Sequence, residues 1–476
     1  VAASRGQLLQ VATEHSKSWQ IVASRCELQA KRGGLQRAAG NYCKSQQIAT
    51  SCSAPFFYLC EKIKTPQNGI LDRRKNGKRK KFMPQEFTKW VACWGNATSI
   101  SDRKEATYAK DLTLRYPIRM RFSGNKLRFH FSNLTGTDAV TISEACVALK
   151  SHSAGNLAVK NLSEADYRPA PITFGGNAQG TIPAGKEILS DEIPFNVTAG
   201  DTIEVSLYFA DYTQMNAGTL VTGPLSSGKF AYGNFARKRE LPQDLSRPTN
   251  WFYFLNTVDV FTESANFALV CYGDSITAQD WPDYLTLRCE RDGFKNVAII
   301  RRAVCGTRIL REYNCITYAA YGLKGATRFP IELNVAGAKA VVIQHGINDI
   351  IHPVGVEVNK FRPWSDMPTV EQMEDGVREL YVKHARTLGL KVYSGTLLPI
   401  YGWRTYNENR DVIRNAFNAW LRTAPEFDGC VDFDKALRSA SEPLKFAVGF
   451  DSGDHLHPNA KAYEAMAECV PAELLK

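Results

Sequence analysis

The chain is most constrained where a short apolar run, residues 267–272, stops at Gly273. It then passes through Asp274-Ser275-Ile276-Thr277 into a helical pattern that begins Trp281-Pro282-Asp283-Tyr284-Leu285. A run this short and this apolar reads as a parallel strand covered on both faces, and Pro282 suits the first turn of the helix that follows. Parallel neighbours are reached only through crossovers, so the chain from residue 265 is confined to alternating strands and helices. Strand candidates fall at 267–272, 296–301, 340–344, 391–396 and 429–432, with helical patterns near 282–291, 369–388, 408–423 and from 459 to about 473. The pattern predicts an α/β domain over 265–476, a three-layer α/β/α fold of flavodoxin-like winding.

A serine on a tight strand-to-helix turn exposes its hydroxyl and leaves its amide free to donate, two needs of an acyl-transfer nucleophile. Gly-Asp-Ser alone is a common turn, but further stretches reach the same edge of the sheet. His345-Gly346-Ile347-Asn348-Asp349 follows the run 340–344 and sets an asparagine amide past another strand end. Asp454-His455-Leu456-His457-Pro458 sets a carboxylate and an imidazole three residues apart before the last helical pattern. In open α/β sheets, ligands bind at the carboxyl ends of the strands.

The Gly273-Asp274-Ser275 block, the glycine of Val304-Cys305-Gly306-Thr307, the Gly346-Ile347-Asn348-Asp349 block and the C-terminal Asp454-x-x-His457, in this order, resemble the SGNH (GDSL-type) esterases and acylhydrolases. The resemblance runs over 265–476, although Cys305-Gly306-Thr307 departs from the Asn/Gly-rich form usual in that block. It implies Ser275 as nucleophile, His457 as base and Asp454 as the carboxylate that orients the imidazole. It also implies an oxyanion hole made by the amides of Ser275 and Gly306 and the side chain of Asn348. His455 competes with His457 for the role of base, and the spacing from Asp454 favours His457. Gln279, Trp281, Trp403 and His345, with Asp280, His352, Trp364 and Arg404, lie near the active edge and are candidates to line it or to contact the substrate. Trp281 and Trp403 are equally suited to packing. No cofactor is implied, and no Cys/His spacing suggests a metal.

Upstream of the α/β region the texture differs. The net charge of +11 invites a nucleic-acid reading, but residues 1–82 alone hold 16 Lys/Arg and 4 Asp/Glu, which leaves the remainder close to neutral. Segment 1–82 has no sustained periodicity and is expected to be a poorly structured basic stretch outside the working protein, with the first methionine, Met83, as the true start. The functional alternative is a basic targeting or binding arm. No secretory signal stands at residue 1, so a cytoplasmic location is expected. Residues 83–264 show short alternating strands, such as Leu127-Arg128-Phe129-His130-Phe131, parted by turn residues, and predict an all-β sandwich of jelly-roll type. Some SGNH carbohydrate esterases carry a β-sandwich ahead of the catalytic domain. The twelve cysteines form no CxxC pair and fit a reducing compartment. The Asn-x-Ser/Thr sites at Asn96, Asn133, Asn161 and Asn196 are read as chance.

Together these features predict a metal-free serine esterase acting on short acyl esters of a small molecule or oligosaccharide, with neither nucleic acid nor membrane as partner. A lysophospholipase or thioesterase of the same fold is the alternative enzyme. A carbohydrate-binding protein with an inactive esterase domain is the alternative of another class, and Ser275, Asn348, Asp454 and His457 together argue against it.

Overall fold

The structure, a computed structural model, describes residues 86–100, 108–154, 157–161, 163, 166–313 and 321–476. Segment 1–82 and Met83 lie outside the described residues.

The β-rich half consists of antiparallel sheets. One contains Lys89–Gly95, Leu255–Thr262, Gly124–Ser132 and Glu187–Leu189 in that order, with Ile193–Val197 also paired to Gly124–Ser132. A seven-stranded sheet centres on Leu112–Arg119 and Thr202–Phe209. Alternation decides which face is buried. Leu127, Phe129 and Phe131 are fully buried, while Arg128 and His130 between them keep partial exposure. In the second sheet Ile203, Val205 and Leu207 pair with Ile118, Tyr116 and Leu114, and all six are buried. Asn96 and Asn133 are 2% and 0% exposed, which leaves no room for a glycan on either.

The second half holds a five-stranded parallel sheet made of Phe267–Gly273, Val297–Ala303, Ala338–Gln344, Lys391–Gly395 and Gly429–Val431. The strands lie in the order second, first, third, fourth, fifth, a doubly wound arrangement that places a ligand crevice beside the first strand. All seven residues of Phe267–Gly273 and of Val297–Ala303 are buried, as strands covered on both faces must be. Helices Trp281–Arg291 and Ala460–Glu468 pack on one another, and Glu408–Thr423 packs on Lys391–Gly395.

Several helix boundaries differ from the sequence expectation. The stretch near 369–388 is α-helical over Val370–Gly376, π-helical over Val377–Val382 and α-helical again over Lys383–Thr387. The last helix ends at Glu468 instead of continuing to about 473, because Pro471 has no amide to continue the ladder. A helix at Gly325–Glu332 was hidden by Pro330 within it. None of the helices among the described residues is long and apolar enough to cross a membrane.

The antiparallel and parallel sheets belong to one compact unit, and buried arginines join them. Arg302, 2% exposed on the second parallel strand, donates to Asn96 O at 2.6 Å, Thr257 Oγ1 at 2.6 Å and Glu332 O at 3.0 Å. Arg301 reaches Asp283 at 2.8 Å and Ser226 Oγ at 2.9 Å. The amide of Leu225 donates to Asp283 at 2.8 Å. Removing Arg302 leaves the Glu332 carbonyl without its side-chain donor, at about 1–3 kcal/mol, whereas Asn96 O keeps the Asn256 side-chain amide at 2.9 Å and Thr257 Oγ1 keeps its bond to Asn256 at 2.7 Å. Arg302→Ala is therefore expected to lower stability by about 1–3 kcal/mol, read as a lower urea midpoint of a single transition. Two separate transitions, with only one shifted, would show that the halves unfold independently.

Candidate active site

The site is built where parallel strands end in register. Gly273 pairs with Ala303 on one side and Gln344 on the other, so the chain leaves all three strands at one level. Asp274 Oδ1 accepts the Ile276 amide at 3.1 Å and caps the single helical turn Ser275–Ala278. Ser275 is 9% exposed. Thr277 Oγ1 ties the turn to Gln344 Oε1 at 3.0 Å. The antiparallel half supports the same turn, since the Thr222 amide donates to Ala278 O and the Thr222 hydroxyl to Asp280.

The loop before the last helix brings two carboxylates and two imidazoles together. Asp454 Oδ1 accepts the amides of Leu456 and His457 at 2.9 and 2.8 Å, and Oδ2 meets His457 Nδ1 at 2.7 Å. The three-residue spacing thus lets one carboxylate hold both backbone and ring of the same histidine. His457 Nε2 lies 2.9 Å from Ser275 Oγ. Burial alone would raise the Asp454 pKa, but the bonds from His457 and Leu456 hold it well below the usual carboxylate range. His455 pairs instead with Asp451, Nδ1 to Oδ2 at 2.5 Å. Its positive φ of 64° aims its side chain elsewhere.

Gly306 and Asn348 converge on the same region through Thr307. Gly306 has a φ of 77°, and a β-carbon there would stand 2.2 Å from the Tyr321 ring, so glycine is required twice over. Asn348 is 3% exposed, and its Nδ2 donates to Thr307 O at 3.0 Å. His345 Nε2 lies 3.1 Å from the same carbonyl, and its Nδ1 meets Tyr381 OH at 2.8 Å. The Thr307 carbonyl had no signal in the sequence, because a backbone acceptor leaves no trace in residue type.

The four expected substrate contacts divide. Trp403 is partly buried with its ring edge-on to His457, centroids 6.5 Å apart, and Gln279 follows the serine turn with partial exposure. Trp281 is fully buried, packs on Phe433 and donates to Thr277 Oγ1 at 3.3 Å, so it supports the turn from within and does not reach a ligand. His345, 2% exposed, is likewise closed in. Burial first, then the charge of Arg328, lowers its pKa to about 3, so it is a neutral spacer.

Two further carboxyls are buried here. Asp349 accepts the amides of Ile309 and Leu310 at 2.8 and 3.1 Å, and burial raises its pKa to about 6. Burial raises Asp274 to about 7, and its Oδ2 has no hydrogen-bond partner. Between the ordinary value of 3.8 and about 7 the folded state holds a proton on Asp274 that the unfolded chain has lost, so this group destabilises the fold progressively as pH rises through that window. The melting temperature of the wild type is expected to fall relative to that of Asp274→Asn across this range. Parallel melting curves for the two would contradict the assignment.

Residues 271–465 match the sequence model of the GDSL-like Lipase/Acylhydrolase family. No curated protein sequence matches the chain. Among solved structures, a putative GDSL-like lipase from Parabacteroides merdae is similar at 16% identity and a TM-score of 0.32, covering 44% of this chain and 97% of that one. An acetylxylan esterase from Geobacillus stearothermophilus is similar at 15% identity and a TM-score of 0.31, covering 45% and 96%. A family two carbohydrate esterase from Cellvibrio japonicus is similar at 9% identity and a TM-score of 0.30, covering 81% and 97%. With the Gly273-Asp274-Ser275 turn at its head, the matched region is a GDSL-like lipase/acylhydrolase domain, and the chain that carries it is a carboxylic ester hydrolase.

Proposed function

We propose that residues 265–476 hydrolyse short acyl esters, acetyl above all, carried by carbohydrate, through an acyl-enzyme on Ser275. The observation that carries this reading is the unbroken chain of hydrogen bonds from Ser275 Oγ through His457 to Asp454, with Asn348 just past the end of the adjoining strand. As Ser275 Oγ attacks the ester carbonyl, His457 Nε2 takes its proton, while Asp454 fixes the tautomer and offsets the imidazolium charge. Negative charge developing on the carbonyl oxygen falls to the amides of Ser275 and Gly306 and to the Asn348 side chain. One such donor lowers the barrier by about 3–4 kcal/mol. His457 then returns the proton to the leaving alcohol, and water repeats the sequence to release the acid.

The short acyl group is supported by what stands beside Gly306. The Tyr321 ring covers its α-carbon and stacks on His352, centroids 5.2 Å apart, while His352 Nδ1 meets Tyr313 OH at 2.8 Å. Aromatic side chains therefore crowd the ground beside Gly306, which supports a small acyl group. The carbohydrate reading is supported by the arrangement of an antiparallel β half ahead of the catalytic half, which resembles that of carbohydrate esterases.

Ser275→Ala and His457→Ala are each expected to lower kcat by about three orders of magnitude or more while the fold is kept, and Ser275→Ala is expected to abolish labelling by a fluorophosphonate probe. His455→Ala should stay within a few-fold of the wild type. A dead His455→Ala beside a working His457→Ala would reverse the choice of base.

Acyl length gives an independent check. Each methylene contributes about 0.8 kcal/mol of transfer energy only where a pocket buries it. With aromatic rings in the way, kcat/KM on 4-nitrophenyl esters should fall steadily from acetyl to octanoyl. A preference for octanoyl would point to a lipase.

A further inference from the structure

Uncompensated positive charge flanks the proposed acyl-transfer site on its His457 side. After the fourth parallel strand the chain turns at Gly402, where φ is 93° and a β-carbon would come within 2.9 Å of the His455 ring. Trp403 follows, its edge against His457, and the Arg404 guanidinium lies over the same indole at 4.5 Å. Thr405 Oγ1 donates to Ile351 O at 2.8 Å. The turn is thus fixed both to the loop that carries His457 and to the helix that carries Asn348.

Arg404 is exposed. Among the described residues it has neither a hydrogen bond nor a carboxylate partner. Arg362 donates to His352 O and to Ile351 O, and buried Arg410 donates to Ile350 O and Pro353 O. Neither has an ion pair among the described residues. Two carboxylates of the loop that carries Arg362 have other partners. Asp366 is shared by Arg308 at 2.9 Å and Arg311 at 3.6 Å, and Glu357 accepts the Trp364 indole at 2.9 Å. After burial, the charges of Arg362, Arg308, Arg404 and Arg410 all depress the pKa of His352.

A guanidinium stacked on an indole is oriented in advance, keeps its in-plane donors free, and suits a planar carboxylate. Its position tells which part of the substrate it meets. The carbonyl oxygen belongs with Gly306 and Asn348, whereas the leaving oxygen must lie at His457, the residue next to the Trp403–Arg404 turn.

We propose that Arg404, backed by Arg362, forms an anion subsite for the alcohol portion of the substrate, so that the ester cleaved is carried by an acidic sugar bearing a carboxylate. This inference rests on the esterase reading. Arg404 is here a specificity-determining residue, and the acyl-transfer chemistry does not use it.

The test compares kcat/KM for an acetylated methyl glucuronoside and the methyl glucoside acetylated at the same position. At low salt the uronoside is expected to be preferred by about tenfold or more, as one charge-assisted bidentate contact allows. The preference should shrink as salt is added, collapse in Arg404→Gln, and be partly kept in Arg404→Lys. Arg362→Gln should reduce it by a smaller factor. A wild-type ratio near one, or an unchanged ratio in Arg404→Gln, would overturn the subsite. Hydrolysis of 4-nitrophenyl acetate separates the two readings, because turnover without uronate preference removes the subsite alone, and no turnover by the folded protein removes the esterase reading. In that second case calorimetric titration with D-glucuronate and D-glucose still decides. Binding of glucuronate that is lost in Arg404→Gln supports the subsite, and equal or absent binding of both sugars overturns it.

Discussion

At Gly273 the first parallel strand runs so close to its neighbour that a β-carbon would stand 2.4 Å from the Gln344 carbonyl oxygen and 2.5 Å from Thr277 Oγ1. Only glycine permits that approach. It lets the chain turn at once into the Ser275–Ala278 helical turn, and it keeps the ends of three strands level. The asparagine block follows Gln344 directly, and the Gly306 block follows Ala303. The groups that meet around Ser275 are far apart in sequence, and they meet because their strands stop at the same height. A side chain at Gly273 would displace the serine turn and the asparagine block together.

The antiparallel half bears on this geometry through polar contacts that reach the base of the serine turn. Thr222 holds Ala278 and Asp280, and Arg301 and Leu225 hold Asp283 at the start of the next helix. Arg302 lowers the same sheet onto the ends of the antiparallel strands. Burial depresses its pKa despite the carboxylate of Glu332 nearby, as expected for a charge kept inside by carbonyls and a hydroxyl. Such contacts contribute little net stability where both partners are satisfied, and much instability when one is removed. Their main effect is on position. The helix that begins at Trp281 has little freedom to move relative to the β-rich half, so Trp281 is a support for the serine turn and unavailable to a ligand.

Much of the α/β half was legible because its physics is local and periodic. Buried parallel strands are apolar throughout, and all five strand candidates lie within a few residues of the observed ones. The helix Gly325–Glu332 carries Pro330, which reads as a breaker, and Pro471 stops the last helix before its periodic pattern ends. In the site, side-chain spacing in one loop made the Asp454–His457 contact readable. The Thr307 carbonyl, which gathers Asn348 and His345, was not readable, since any residue type offers the same acceptor. Burial was the other blind spot. Trp281 and His345 follow strand ends as substrate contacts often do, and only the packing of Phe433, Thr277 and Tyr381 around them shows that they are enclosed.

The two aspartate–histidine pairs of the C-terminal loop show why pairing with a carboxylate does not by itself mark a base. Both imidazoles present Nδ1 to an aspartate, Asp451 for His455 and Asp454 for His457. Asp451 also accepts the amides of Gly453 and His455, at 2.8 and 3.0 Å, so the loop consists of two overlapping turns, each held by an aspartate. Backbone sign separates their consequences. His455 has a positive φ and its ring lies against Gly402, whereas His457 points Nε2 at Ser275. The Asp451–His455 pair therefore supports the turn that carries Trp403 and Arg404, and the Asp454–His457 pair completes the hydrogen-bonded chain to Ser275. One short loop thus fixes both the proposed proton carrier and the proposed anion subsite, and any shift of the loop moves the two together.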